Sequence, residues 1–492
     1  MAKEAAPHLR QFAEPGQPGW FIASNSRLSA ESRLQPGLAS VERVWRPGLQ
    51  YVTHWSVPQT SVVDHSSDFS YNGARLIGRL APIGSAPVHP VVVTRWVGAY
   101  ELLEGDPVIH VVMVSKALVN GAYQRKLEEM VQLPGIRLTA LVPPYWRDSR
   151  GITPLQRSYT CGYRLIETPL AWNGHFHLHF YPQLGHWLRT LQPDLLHMDE
   201  EPLNVATCHG VWLARRMRIP VCFYTWQNLH RRYPPPFNTM EQYTYRHAVH
   251  ALAGSEEAIR VLRAKGYRGP ASLVPQFGVD PDHFTPRPAD PPAATGRGMV
   301  IGYAGGLVPE KGLDLLLRAA AHLPNCPVRL VGEGRERPAL ARLAAELGMA
   351  DRVEFVTRLP STAMPQFYQG LDVLVLPSRA MTNWKEQFGR VLIEAMASGV
   401  PVIGANSGEI PQVIGPAGLT FPEGDVEALR GQLLRLLEDG ALWRQLAAEG
   451  RARVLAHYTQ ARIAALTVAA YRAAVPTTTA YRGDLGRLPL RG

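Results

Sequence analysis

The feature that most limits what this chain can become is an alternation, repeated twice, of short β-branched runs with longer helical patterns. Such alternation marks parallel βαβ units, because parallel neighbours need a long crossover that a helix supplies. The first series reads as strands at Val108 to Val114, Arg137 to Val142, Asp194 to Met198, Val221 to Thr225, Ala251 to Gly254 and Ser272 to Val274. The second reads as strands at Val300 to Ala304, Val328 to Val331, Val353 to Phe355, Val373 to Leu376, Pro401 to Gly404 and Gly418 to Phe421.

Between the two series lies Gly278 to Gly298, where Pro281, Pro286, Pro288, Pro291 and Pro292 disfavour a helix or a central strand. This stretch reads as an interdomain linker. At 492 residues the chain is too long for one core. The expected fold class is therefore α/β, with two doubly wound Rossmann-like domains, residues 107–277 and 299–456, facing across a cleft. Ligands on such sheets collect at the carboxyl ends of the strands, so the active site should be shared between the domains. Residues 457–475 read as a C-terminal helix able to cross back to the first domain, and 476–492 as a tail. Residues 1–106 are rich in Pro, Gly and Ser, with isolated tryptophans at Trp20, Trp45, Trp55 and Trp96, and form an extension of unassigned fold. A short strand at Pro90 to Thr94 is plausible there.

A formal net charge of +10 favours anionic partners, among them nucleotide diphosphates, anionic lipid head groups and nucleic acid. The chain has no Lys/Arg-rich run of roughly five to eight residues and no zinc-finger spacing, which argues against nucleic acid. Cys161, Cys208, Cys222 and Cys326 are scattered without a CxxC pair, as expected for packing residues in a reduced compartment. The N-terminus lacks an apolar signal core, and no run reaches the roughly 18 to 20 apolar residues of a membrane span. A cytoplasmic protein is expected, with peripheral contact at the inner membrane surface left open by the basic balance.

The chemistry is concentrated in the second series. In Glu386-Gln387-Phe388-Gly389-Arg390-Val391-Leu392-Ile393-Glu394, two carboxylates eight residues apart flank a Phe-Gly turn that opens an apolar helix. A loop glutamate can reach the sugar end of a nucleotide sugar, and one further into the helix can accept both vicinal hydroxyls of a ribose. The helix start between them presents free N–H groups and a positive dipole end to a diphosphate. Asp372 to Leu376 reads as a buried strand delivering the chain to this loop through Pro377-Ser378, and Gly399 ends the helix before Pro401-Val402-Ile403. Upstream, Ile301 to Gly312 reads as a strand and a glycine turn leading into a helix, with Gly305 and Gly306 permitting close backbone approach to phosphate. Lys311 could neutralise the leaving group there, or be a solvated lysine. Gly332-Glu333-Gly334 shapes the same pocket, and Arg358 on the loop after the next strand could contact base or phosphates.

With these residues in place, Val300 to Asp439 resembles the donor-binding half of the retaining glycosyltransferases of the GT-B fold, family four. The resemblance rests on Gly305 to Gly312, Val331 to Gly334, Glu386 to Glu394 and Ser407-Gly408-Glu409-Ile410. It extends more weakly to Pro193 to His197, Phe223 to Asn228, and Gly278-Val279-Asp280 with Phe284-Thr285-Pro286, so that it covers about 108 to 475. It implies that residues 107–277 form the acceptor domain and 299–456 the donor domain. It further implies that Glu394 binds ribose, Glu386 lies by the transferred sugar, the Phe388 and Gly389 amides approach the donor, and Lys311 grips the diphosphate. No cofactor or metal is implied, the nucleoside diphosphate sugar being a substrate. One departure is Gly306, where the family commonly carries arginine, so a second cation must come from Arg358 or Arg390.

In the first domain the resemblance points to Asp199, with Glu200 close behind, as the carboxylate that orients the donor sugar or stabilises charge at its anomeric carbon. The alternative for Asp199 is an acidic helix N-cap. The loop carrying Asn120 and Gly121 would border the diphosphate and the acceptor. His175, His177 and His179 would share one face if their segment were a strand, as acceptor contacts or a polar face rather than a metal site. The function expected is transfer of a hexose to a saccharide or lipid-linked hydroxyl acceptor in polysaccharide or glycolipid synthesis. Its rivals are a nucleotide-sugar epimerase on the same fold and a protein that holds nucleotide sugar without chemistry.

Overall fold

The computed structural model describes residues 66–71, 74–79 and 108–475, apart from 149, 150, 287, 289, 297 and 324. The expected strand at Pro90 to Thr94, the four early tryptophans and the 476–492 tail lie outside the described residues. The chain divides into two compact units, Met1–Val97 and Gly98–Gly492. In the first, β1 (Ser66–Tyr71) and β2 (Ala74–Arg79) pair antiparallel, with Tyr71 opposite Ala74.

The second unit holds two parallel sheets. The first comprises β3 (Ile109–Val114), β4 (Ile136–Val142), β7 (Arg164–Glu167), β8 (Leu195–Met198), β9 (Val221–Thr225), β10 (His250–Ala253) and β11 (Ala271–Leu273), in the order β11-β10-β9-β8-β3-β4-β7. A separate hairpin, β5 (Tyr145–Asp148) with β6 (Gly151–Pro154), hangs between β4 and β7. The second sheet comprises β12 (Ile301–Ala304), β13 (Val328–Val331), β14 (Val353–Val356), β15 (Val373–Leu376), β16 (Val402–Ala405) and β17 (Leu419–Phe421), in the order β14-β13-β12-β15-β16-β17. Every pairing within these two sheets is parallel.

The apolar runs behave as buried central strands should. On β3, Val111 and Met113 enter one core with Leu127, Leu138 and Leu195, while Val112 and Val114 enter the opposite core with Leu184, Leu196 and Val211. The period of two thus separates two apolar faces rather than an apolar face from a wet one. The second sheet has its own core, into which Leu316, Val375, Leu392 and Ile403 pack without exposure.

Three expectations need correction. First, β7 and the β5–β6 hairpin are strands without a readable signal, because they are short and partly exposed, and β5 and β7 carry charged residues where an apolar run would announce a strand. Second, His175 to His179 is turn rather than strand, closed by an antiparallel bridge between Ala171 and Phe180, so its imidazoles point to different partners. Third, the proline-rich stretch holds a short helix, Pro292–Thr295, in which Pro292 occupies a first-turn position where a missing N–H costs nothing. That stretch is also anchored, since Val279 bridges to Thr459 and Phe284 is buried in the second core.

The last helix, Gln460–Ala474, is capped by the Thr459 hydroxyl and packs Ile463, Ala464, Val468 and Tyr471 into the first sheet's core. Ile463 is fully buried there. Ile463→Ala is expected to lower stability by about 2–5 kcal/mol, read as a fall in the urea midpoint.

Candidate functional site

Each sheet reverses its strand order at one place, and a doubly wound sheet leaves a crevice at that place. In the first sheet the reversal lies between β3 and β8, and the chain leaving these strands carries Ser115 to Gly121 and Asp199 to Glu201. In the second it lies between β12 and β15, whose exits carry Gly305, Gly306 and Lys311 on one side and Ser378 to Glu386 on the other.

Glu386 is buried and doubly held, accepting from the Lys311 Nζ at 2.6 Å and from the Ser378 Oγ at 2.9 Å. Lys311 is thus no freely solvated lysine. It sits in a 3₁₀ turn, Pro309–Lys311, with its amine 4.7 Å from the centre of the Trp384 ring. Gly389 caps the helix Arg390–Ala397 with φ of +79°, and among the described residues no side chain caps the helix's first N–H groups. Inside that helix, Glu394 is buried and accepts from the Tyr368 hydroxyl at 2.7 Å and the Arg390 Nε at 2.7 Å. Burial disfavours the Arg390 charge, but the Glu394 carboxylate together with Tyr123 and Tyr368 outweighs this and holds the guanidinium above its ordinary pKa.

Two glycine turns sit against each other beside this helix start. The Tyr303 hydroxyl donates to the Gly306 carbonyl at 2.9 Å, and a Cβ on Gly332, at φ of +143°, would lie 1.8 Å from the Gly305 carbonyl oxygen. Only glycine at 332 lets the two loops close together. Arg358 is exposed on the loop after β14 and makes no ion pair among the described residues, so it does not join the group. Arg390 does, because its Nη1 donates to the Tyr123 hydroxyl at 3.0 Å and ties the helix start to the loop after β3. In that loop the Asn120 side chain caps the turn Gly121–Tyr123, and the Gly121 N–H donates to Gln156 at 2.9 Å.

Asp199 is buried and accepts from the Ser115 Oγ at 2.7 Å and the Gln276 Nε2 at 2.8 Å. It does not cap the next helix, Val205–Arg216, whose N-cap is Asn204. Lys126, buried on the helix Arg125–Val131 that follows the β3 loop, has its amine lowered by burial with Asp199 as the opposing charge. Glu200 is ion-paired to Lys116, and the His179 Nε2 lies 3.4 Å from it. Burial acts to raise the Glu200 carboxyl, and Lys116 and His179 outweigh it, holding it at about 2. His177 is bonded instead to Asn204, at 2.9 Å, and no group of three His, Cys, Asp or Glu suited to a metal occurs among the described residues.

Trp226 links the two halves. Its indole donates to Gln276 at 2.8 Å, its ring stacks on Phe277 at 17° and meets Phe388 at 5.8 Å, and its carbonyl accepts from Gln387 at 3.0 Å. Phe277 in turn lies 4.6 Å from Tyr123. Asp199, Glu386, Glu394, Phe388, Gly389, Lys311, Arg390 and the Asn120–Gly121 loop therefore belong to one contiguous network. Sequence reasoning gave no role to Ser378, Gln276 or Tyr368, and placed Tyr123 only as part of the loop after β3. Ser378, just past a buried strand, was the one with a readable signal.

Glu409 also crosses between the halves. It is buried, and burial together with Glu256 and Glu257 pushes its carboxyl up to about 7, against its bond from the Glu256 N–H and the charge of Arg260. An acid whose folded pKa is raised loses stability as pH climbs from its ordinary 4.5 through 7. Glu409→Gln is expected to melt above the parent at pH 8 and to match it at pH 4, in paired thermal scans.

Residues 291–453 match the family model described as glycosyl transferases group 1. A GDP-mannose-dependent monoacylated alpha-(1-6)-phosphatidylinositol monomannoside mannosyltransferase of Corynebacterium glutamicum is 34% identical over 196 residues, covering 37% of this chain and 51% of the relative. A D-inositol 3-phosphate glycosyltransferase of Mycolicibacterium smegmatis is 34% identical over 221 residues, covering 42% and 50% respectively. The chain thus spans about half the length of these curated relatives. Among solved structures, sucrose-phosphate synthase from Thermosynechococcus elongatus is similar at a TM-score of 0.57 and 22% identity, covering 74% of this chain and 98% of that one. Anabaena HepE in complex with UDP and glucose is similar at a TM-score of 0.57 and 18% identity, covering 74% and 100%. The chain has the two-domain GT-B fold of these structures, and residues 291–453 of its second domain are similar to the glycosyl transferases group 1 family.

Proposed function

We propose that this protein transfers a hexosyl group from a nucleoside diphosphate sugar to a hydroxyl of a saccharide or lipid-linked acceptor, with retention at the anomeric carbon. The observation that carries this reading is the pair of buried carboxylates at the two ends of one uncapped helix start, Glu386 with Lys311 and Glu394 with Arg390. Ribose hydroxyls would lie on Glu394, the diphosphate on the Gly389–Arg390 N–H groups, and the hexose by Glu386. Arg390 meets the need for a second cation left by Gly306, whereas Arg358 stands apart.

In the reaction the bond from the anomeric carbon to the phosphate oxygen breaks, and its electron pair leaves with the nucleoside diphosphate. Lys311 and the helix dipole stabilise that charge. The acceptor oxygen bonds to the same face of the anomeric carbon, and its proton passes to the departing phosphate oxygen. Asp199, fixed by Ser115 and Gln276, stabilises the positive charge that develops on the sugar. Because several similar proteins are named as mannosyltransferases, two of them GDP-mannose-dependent, GDP-mannose is the first donor to test.

Work in cell-surface polysaccharide or glycolipid synthesis, at the cytoplasmic face of a membrane, completes the proposal. Among the described residues no helix is long and apolar enough to cross a membrane. The exposed Trp172 and Trp212, the latter with the Arg216 guanidinium 4.4 Å over its ring, support a peripheral contact.

Product analysis after incubation with donor and a glycoside acceptor tests the reading. A new glycoside with the donor's anomeric configuration is expected, while an epimerised nucleotide sugar or an untouched donor would contradict it. Glu394→Ala is expected to raise the donor Kd about tenfold to a hundredfold, since a hydrogen bond to a charged group contributes about 1.5–3 kcal/mol. An unchanged Kd by calorimetry would remove the ribose role.

A further inference from the structure

A cavity of about 360 Å³ lies beside the Glu386 loop, walled on one side by Trp226, Asn228 and Tyr233 and on the other by Trp384, Lys385 and Gln387. We infer that it is the acceptor subsite and that it takes the uncharged pyranoside end of a glycoside in preference to a phosphorylated sugar. This rests on the proposed transfer reaction and names the chemical class of its acceptor.

The position follows from two contacts. Trp384 lines the cavity and has the Lys311 amine 4.7 Å from its ring centre. The Asn228 Nδ2 donates to the Glu386 carbonyl at 3.2 Å. A molecule filling the cavity is therefore one side chain away from the Lys311–Glu386 pair, where an attacking hydroxyl is needed.

The chemical class follows from what the walls offer. A pyranose presents apolar C–H faces and a rim of hydroxyls. Trp226, Trp384, Tyr233 and Phe176 supply aromatic surface for the faces, and the amide oxygens of Asn228 and Gln387, whose NH2 groups donate to backbone carbonyls, supply acceptors for the rim. Glu201 adds a carboxylate that already accepts from the Trp226 N–H at 2.7 Å and the Thr225 hydroxyl at 2.8 Å. A carboxylate offers about four acceptor sites, so Glu201 retains room for a sugar hydroxyl.

The same walls disfavour a phosphate. Two arginine or lysine side chains line the cavity, and both are already engaged. Arg231 donates to the Asn383 carbonyl across the cleft, and Lys385 is paired with Glu257 at 2.7 Å. A phosphate would have to break one of these pairings while facing the Glu201 carboxylate, and specificity arises from such a penalty as much as from attraction.

The test uses the full-length protein with the nucleotide sugar that it binds, offered methyl α-mannopyranoside, methyl α-glucopyranoside, their 6-phosphates and inositol 1-phosphate. The expected result is a kcat/KM for a neutral glycoside at least tenfold above that for every phosphorylated acceptor. Preference for a phosphorylated acceptor, or equal use of both, overturns the inference. Phe176→Ala, at a half-exposed position, is expected to raise the KM for the neutral glycoside about tenfold with little change in kcat. An unchanged KM overturns the placement of the subsite. If the parent protein neither binds nor consumes any nucleotide sugar, the transferase reading itself fails and this inference with it, an outcome distinct from donor turnover with the wrong acceptor preference.

Discussion

Trp226 is the contact on which the arrangement of the site depends. It stands at the exit of β9 in the first sheet, yet its ring, indole N–H and backbone carbonyl reach Phe277, Gln276, Phe388 and Gln387. A large aromatic ring contributes rigid apolar area together with one directional hydrogen bond. Here the area couples the halves, while the bond to Gln276 orients the amide that in turn holds Asp199. Gly254 makes room for it, since a Cβ there would come within 2.2 Å of the indole.

Around this contact the charges are arranged as opposed pairs. Lys311 with Glu386, Arg390 with Glu394 and Lys116 with Glu200 each place a cation against a buried carboxylate. Leaving one member of a buried pair alone is costly, which keeps both in place. Pairs of this kind also suit a polyanionic substrate: a diphosphate can share Lys311 and Arg390 while ribose hydroxyls donate to Glu394, so bringing the donor in leaves no charge bare.

Much of this was legible in the sequence, for identifiable reasons. The central strands were readable because burial on both faces leaves continuous β-branched runs, as in Val111 to Val114 and Val373 to Leu376. Glu386 and Glu394 were readable because a fixed spacing across a turn into a helix survives in one dimension. Edge and hairpin strands such as β7 and β5 were not, because half-exposed strands carry charges that hide the pattern. The contacts of Tyr123, Gln276 and Tyr368 were hidden for another reason: their partners lie far away in sequence, so only the folded chain brings them together. His175 to His179 misled because alternating residues suggest a strand, whereas turn geometry sends His177 to Asn204 and His179 to Glu200.

The central claim is that the helix start between Glu386 and Glu394 holds a nucleoside diphosphate sugar. The most direct measurement is a thermal-shift series of the intact protein with UDP-, GDP- and ADP-hexoses, because a ligand that binds only the folded state raises its melting temperature. The account requires a saturable rise with one nucleotide series, lost when Glu394 is replaced by alanine. No shift with any nucleotide sugar at millimolar concentration would contradict it.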